Sequence, residues 1–294
     1  AELQFKFDIQ TVLGSAAQPN ILTKAGCEHA DMLIAVTNSD EVNMLACFIC
    51  YNLFRTPHKV ARIRSQDFLN YPDFFSKEKL PIDVCISPEH LVTNHIKSLI
   101  EYPGTSQVLD FAKGSLQLIV LKPQLGGKMV GKTIRKLYEH LKNIPMKIAA
   151  IFRDNAAITL TDETEIYSDD ELIFIAPPEA IQQTLIALGR FNHLNHRIII
   201  AGGGHIGKRL TQALENDYRV KIIEHGLERA EYLATCLTKA TILHGDVADR
   251  ELLLNENIEF TDVFVAVTND DEANIMSCLQ AKKLGVRHVM ALTN

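Results

Sequence analysis

Arg197-Ile-Ile-Ile-Ala-Gly-Gly-Gly-His-Ile-Gly207 is a short β-branched run that breaks into a glycine loop and then into a helical pattern. Strand, GxGxxG, helix is the context that a dinucleotide fingerprint requires. Gly202 permits the tight turn, Gly204 lets the backbone approach a pyrophosphate, and Gly207 lets helix and strand pack closely. Free N–H groups at the helix start then bind anionic oxygens. The whole loop is the candidate phosphate cradle: Gly202, Gly203, Gly204, His205, Ile206 and Gly207.

An acidic residue completes the pattern. Glu224 ends the next apolar run, 22 residues after Gly202. A carboxylate there accepts the ribose hydroxyls of adenosine and repels a 2′-phosphate, which favours NAD, NADH, ATP or ADP over NADP. Further along, strand-like and helix-like stretches alternate: 220–224, 228–237, 240–243, 250–256, 263–267, 272–284 and 288–292. That alternation indicates a doubly wound parallel sheet. Such sheets bind ligands at the carboxyl ends of their strands. Three more residues stand at those ends. Asp246 is placed to accept from an adenine amino group or simply to hold a turn, and Thr268 and Asn269 are placed to touch ribose or the distal phosphate. Asp270, Asp271 and Glu272 lie at a helix start, where carboxylates favour the dipole, and are read as structural.

The same unit occurs twice. Residues 35–47 and 266–278 agree at eight of thirteen positions with a constant offset of 231, which also carries Gly14 onto Gly245 and Asp31 onto Asp262. Thr37 and Asn38 match Thr268 and Asn269, while Ser15 replaces Asp246. Subtracting 231 from Gly202 gives −29, so the first copy is expected to be truncated at its N-terminus, and the sequence to be a piece of a longer tandem protein.

The expected organisation is α/β, with tandem Rossmann-like doubly wound parallel sheets and a small α+β lobe between them. Residues 1–86 form the truncated first nucleotide domain, 87–105 a linking helix, 106–190 the lobe and 196–294 the second nucleotide domain. Ser87 fits an N-cap and Pro88 the first helical position, and Pro103-Gly104 stops that helix. In the lobe, strands are expected at 116–121, 146–152, 158–160 and 171–176, with helices at 133–141 and 179–188. A short polar linker is expected at 190–196.

Bulk properties narrow the function. The 294 residues are 47% hydrophobic and 22% charged with a net charge of −6, an ordinary globular balance with no broad basic field for nucleic acid. No apolar run approaches the ~20 residues that span a bilayer. Six scattered cysteines without a disulfide framework favour a reducing cytoplasm. Cys47 and Cys50 have CxxC spacing but lie inside an apolar helical stretch, and are read as core. His140, the one histidine of the lobe, reads as a surface residue, and no HExxH, GxSxG or Cys/His metal pattern occurs. The formal GxxxxGKT match at 126–133 lacks a larger parallel sheet around it and reads as a turn.

The GGGHIG loop, Glu224, Gly245-Asp246 and the paired Ala-Val-Thr-Asn blocks resemble the domains that regulate potassium conductance. Ser87-Pro-Glu-His90 through Glu101-Tyr-Pro-Gly104 is also like that family's linking helix. The resemblance covers essentially the whole chain. It implies a cytosolic regulatory subunit, not an enzyme, assembled as a homo-oligomer (dimer or ring) at the inner face of the membrane beneath a potassium transporter. Nucleotide binding would change its shape, and the transporter's gate would respond. The lobe departs from the family's usual proline and glycine turns at Thr161-Asp162 and Ser168-Asp169, which puts a lobe ligand in doubt. Two other readings stand beside this one: an NAD-dependent oxidoreductase whose catalytic residues lie outside this stretch, and a Rossmann scaffold that serves assembly alone.

Overall fold

The computed structural model describes residues 9–123, 127–189 and 197–293. The chain divides into two compact units, Ala1–Leu91 and Val92–Asn294. In the first, α1 (Pro19–Lys24), β1 (Met32–Ala35), α2 (Asp40–Asn52), β2 (His58–Arg62), α3 (Gln66–Leu69) and β3 (Val84–Ile86) follow in order. The strands make a parallel sheet, β1-β2-β3. α2 begins where the Ser39 side chain accepts the Val42 N–H, with Asp40 and Glu41 in the first turn. Cys47 and Cys50 face inward from it and are fully buried. Burial pushes both thiols up to about 12, so the CxxC spacing is core packing.

α4 (Pro88–Glu101) straddles the boundary between the units. Its later turns belong to the second unit, where Ile96 and Ile100 pack with Ile198, Leu210, Leu214 and Val220.

The lobe comprises β4 (Thr105–Phe111), β5 (Leu116–Leu121), α5 (Ile134–His140), β6 (Lys147–Arg153), β7 (Ala156–Ala157), β8 (Glu171–Ala176) and α6 (Pro178–Ala187). Its strands pair antiparallel in the order β4-β5-β8-β6-β7. Two expectations need correction. A strand forms at Thr105–Phe111 where none was expected, and the stretch 158–160 is not a strand: the two-residue β7 lies just before it, at Ala156–Ala157. Thr133 caps α5 by accepting the Lys136 N–H, so the GKT residues lead out of an antiparallel sheet into a short helix. Gly126 of that match and the linker at 190–196 lie outside the described residues.

The last part holds β9 (Arg197–Ala201), α7 (His205–Leu214), β10 (Arg219–Glu224), α8 (Leu227–Cys236), β11 (Thr241–His244), α9 (Arg250–Asn255), β12 (Val263–Ala266), α10 (Asp271–Lys283) and β13 (His288–Ala291). All five strands are parallel, ordered β11-β10-β9-β12-β13. The strand order reverses between β9 and β12, and this is where such sheets open a crevice. Ile198, Ile200, Val263 and Val265 pack in one core cluster, while Ile199, Ala201, Phe264 and Ala266 pack in another. Successive side chains go to opposite faces, and both faces are covered. The central runs are therefore apolar throughout.

Candidate nucleotide site

β9 ends at Ala201 and the chain turns at Gly202, whose φ of +102° is one that L side chains rarely adopt. A Cβ on Gly207 would lie 1.8 Å from the Gly202 carbonyl oxygen, so the turn itself demands glycine there. Gly204 differs. It is exposed, it precedes α7 without a side-chain cap, and a Cβ there would meet nothing within 4 Å. Open space beside free helix-start N–H groups is what a pyrophosphate needs. The residues present fit that group.

Glu224 ends β10, at the mouth of the same turn. Its Oε2 accepts the Gly203 N–H at 2.7 Å and its Oε1 accepts the Gly226 N–H at 2.8 Å. A carboxylate offers about four lone-pair sites, so acceptor capacity remains for ribose hydroxyls. On the other side of Gly203, Arg229 donates Nε to the carbonyl oxygen at 2.7 Å.

A cleft of about 520 Å³ opens at the carboxyl ends of the strands. It gathers Gly202, Gly204, Glu224, Asp246, Thr268 and Asn269, and adds His225, whose only signal in the sequence is that it follows Glu224 directly. Gly203, His205, Ile206 and Gly207 do not line it. Gly203 and Gly207 are buried, His205 is exposed, and the Ile206 side chain packs against the core beneath. Larger clefts of about 720 and 740 Å³ lie at the amino ends of the strands, around Arg197, Tyr218, Arg219 and Phe260, away from the glycine loop. Strand polarity favours the smaller, carboxyl-end cleft as the nucleotide site.

Several candidate residues also have a scaffold role. Asp246 Oδ1 accepts the Ala248 N–H at 2.8 Å, and in the first repeat Ser15 Oγ accepts the Ala17 N–H at 3.3 Å. The same turn is thus held by different side chains. Thr268 donates its hydroxyl to Asn274 Oδ1 at 2.7 Å, and that oxygen also accepts the Thr268 N–H at 2.9 Å. Asn274 Nδ2 donates to the Thr268 and Leu292 carbonyls at 3.1 and 2.9 Å. Thr37, Asn43 and Arg62 repeat this arrangement in the first unit. The shared Thr and Asn thus have a structural reason to recur. Asp270 caps α10 by accepting the Ala273 N–H at 3.0 Å.

Fold and cleft together define a chain built on Rossmann-type nucleotide-fold units. It belongs to the TrkA-N domain family, whose model matches residues 1–88 and again 198–294, and the TrkA-C domain model matches residues 118–188. Two similar proteins are both named Trk system potassium uptake protein TrkA. The one from Halomonas elongata is 47% identical over 293 residues, covering 100% of this chain and 64% of that protein. The one from Vibrio alginolyticus is 45% identical, covering 99% and 64%. The chain thus spans just under two thirds of the length of these relatives. Among solved structures, the GsuK RCK domain aligns with a TM-score of 0.66 at 18% identity, over 98% of this chain and 65% of that one. The GsuK channel bound to NAD aligns with a TM-score of 0.67 at 17% identity, over 98% and 54%. At that identity the likeness is one of fold.

Proposed function

We propose that this chain is the nucleotide-sensing part of a cytosolic regulatory subunit that gates a membrane potassium-uptake transporter. The observation that carries the reading is the carboxyl-end cleft, where a glycine loop open at Gly204 faces Glu224. The ligand is an adenine nucleotide, NAD first, with NADH, ATP and ADP sharing its adenosine diphosphate part. Its pyrophosphate lies on the loop from Gly202 to Gly207, its ribose hydroxyls on Glu224, and its adenine amino group near Asp246. Thr268 and Asn269 wall the distal end.

The relatives' name supports potassium uptake as the process. A nucleotide controls such a process only if it binds one conformation of the subunit better than another. Assembly as a dimer or ring is supported by exposed apolar residues on equivalent helices: Met276 and Leu279 on α10, Leu45 and Phe48 on α2. No helix among the described residues is long and apolar enough to cross a membrane. In this proposal the transporter is a separate chain, met at the inner membrane face.

Potassium uptake in cells lacking the protein tests the reading. Gly204→Val fills the open side of the loop without meeting any neighbour within 4 Å at its Cβ. The wild-type protein is expected to restore uptake and its control, and the folded Gly204→Val variant to lose that control. Full rescue by Gly204→Val would overturn the proposal.

A further inference from the structure

Gly203 is buried between two charged side chains that hold its two ends. Glu224 takes its N–H at 2.7 Å and Arg229 takes its carbonyl oxygen at 2.7 Å. Glycine has the widest backbone freedom of any residue, so its orientation in a loop must be set from outside. Bonds to ionised groups do this about twice as strongly as neutral ones.

The consequence follows from peptide planarity. The C=O and N–H of a trans peptide point in opposite directions, and no described peptide is cis. With the Gly203 N–H drawn to Glu224, the Gly202 carbonyl points the other way, over Gly207, where a Cβ would come within 1.8 Å of it. With the Gly203 carbonyl drawn to Arg229, the Gly204 N–H points away from Arg229, and Gly204 itself lines the cleft. The two consecutive peptides flanking Gly203 are thereby fixed in orientation.

Arg229 is itself held. Its guanidinium carbon lies 4.9 Å from the centre of the Tyr232 ring, and Lys208 of α7 donates Nζ to the Tyr232 hydroxyl at 2.8 Å. The Gly226 N–H, just before α8, is bound by the same Glu224 carboxylate. Loop, α7 and the start of α8 are therefore tied through a few side chains.

We propose that Arg229 is a positioning residue of the nucleotide site, which aims the Gly204 N–H at the pyrophosphate before the nucleotide arrives. This rests on the nucleotide reading of the cleft. Arg229→Met keeps the length of the side chain and removes the donor; Arg229→Lys keeps a charge and a donor; Arg229→Gln is a second donor-altering variant should the methionine form fold poorly. Titration of ADP and of NAD into the wild-type chain and each variant reads the effect, with thermal unfolding of the nucleotide-free proteins alongside. Arg229→Met is expected to weaken both nucleotides about tenfold, the equivalent of one charge-assisted hydrogen bond. Arg229→Lys should recover most of that loss, with unfolding midpoints close to wild type. A merely structural arginine would lower the midpoint and leave the affinity of the folded fraction unchanged, and that pattern overturns the assignment. Wild-type protein that binds NAD and ADP no better than Arg229→Met overturns this assignment alone. Wild-type protein that binds neither overturns the cleft reading and the assignment together.

Discussion

Asn274 shows how much one side chain can settle. It is fully buried, and its amide ties the end of β12, the first turns of α10 and the carbonyl after β13. Asn43 does the same in the first unit, reaching the Thr37 backbone and the Arg62 carbonyl. Removing such an amide leaves several buried polar groups unpaired. Asn274→Ala and Asn43→Ala are each expected to cost about 2–4 kcal/mol, read from the urea midpoint of the unit concerned. The repeated Thr is visible in the sequence, where Thr268 stands as a candidate ligand contact. Its hydroxyl also has a protein partner six residues away, Asn274 in the first turns of α10, and only the fold brings those two together. Glu224 was legible because strand-end spacing is a backbone property. Arg229 was not, since an arginine early in an amphipathic helix is common and only the carbonyl it meets distinguishes it.

Elements were legible in proportion to their burial. β9 and β12, covered on both faces, read as continuous apolar runs within a residue of their observed bounds. β4 did not. It is an edge strand, and of its seven residues only Val108 is buried, so no alternation reaches the sequence. Ile158 and Leu160 misled in the opposite direction. They are partly buried against the lobe core and therefore apolar, but the β6–β7 ladder stops at Ala157.

The lobe also carries a pH-sensitive tie. Asp170, fully buried just before β8, accepts Arg153 Nε and Nη2 at 2.7 and 2.9 Å and the Tyr167 N–H at 2.8 Å. Burial alone would raise its pKa; the bonds from Arg153 and Tyr167 and the guanidinium charge outweigh that, holding it below the usual carboxylate value. A depressed folded-state pKa contributes stability above the unfolded value, about 3.9, that is lost as pH falls below it. The lobe's thermal midpoint should therefore drop on acidification below about pH 4. Asp170→Asn should remove that dependence and cost about 3 kcal/mol at neutral pH, because it weakens a buried charged pair. An unchanged acid profile in the variant would count against this tie.

At the scale of the whole chain, the same nucleotide-fold unit occurs twice with one scaffold and different edges. The Asn staples are common to both, while the turn that Asp246 holds in one copy is held by Ser15 in the other. In the proposed function, the cleft beside Gly204 recognises adenosine diphosphate with Glu224 on the ribose. Calorimetric titration of NAD and NADP into the protein tests that recognition. Saturable NAD binding is expected, with NADP binding weaker by at least about tenfold, because a 2′-phosphate would meet the Glu224 carboxylate. Equal affinity for the two, or no NAD binding at all, would contradict it.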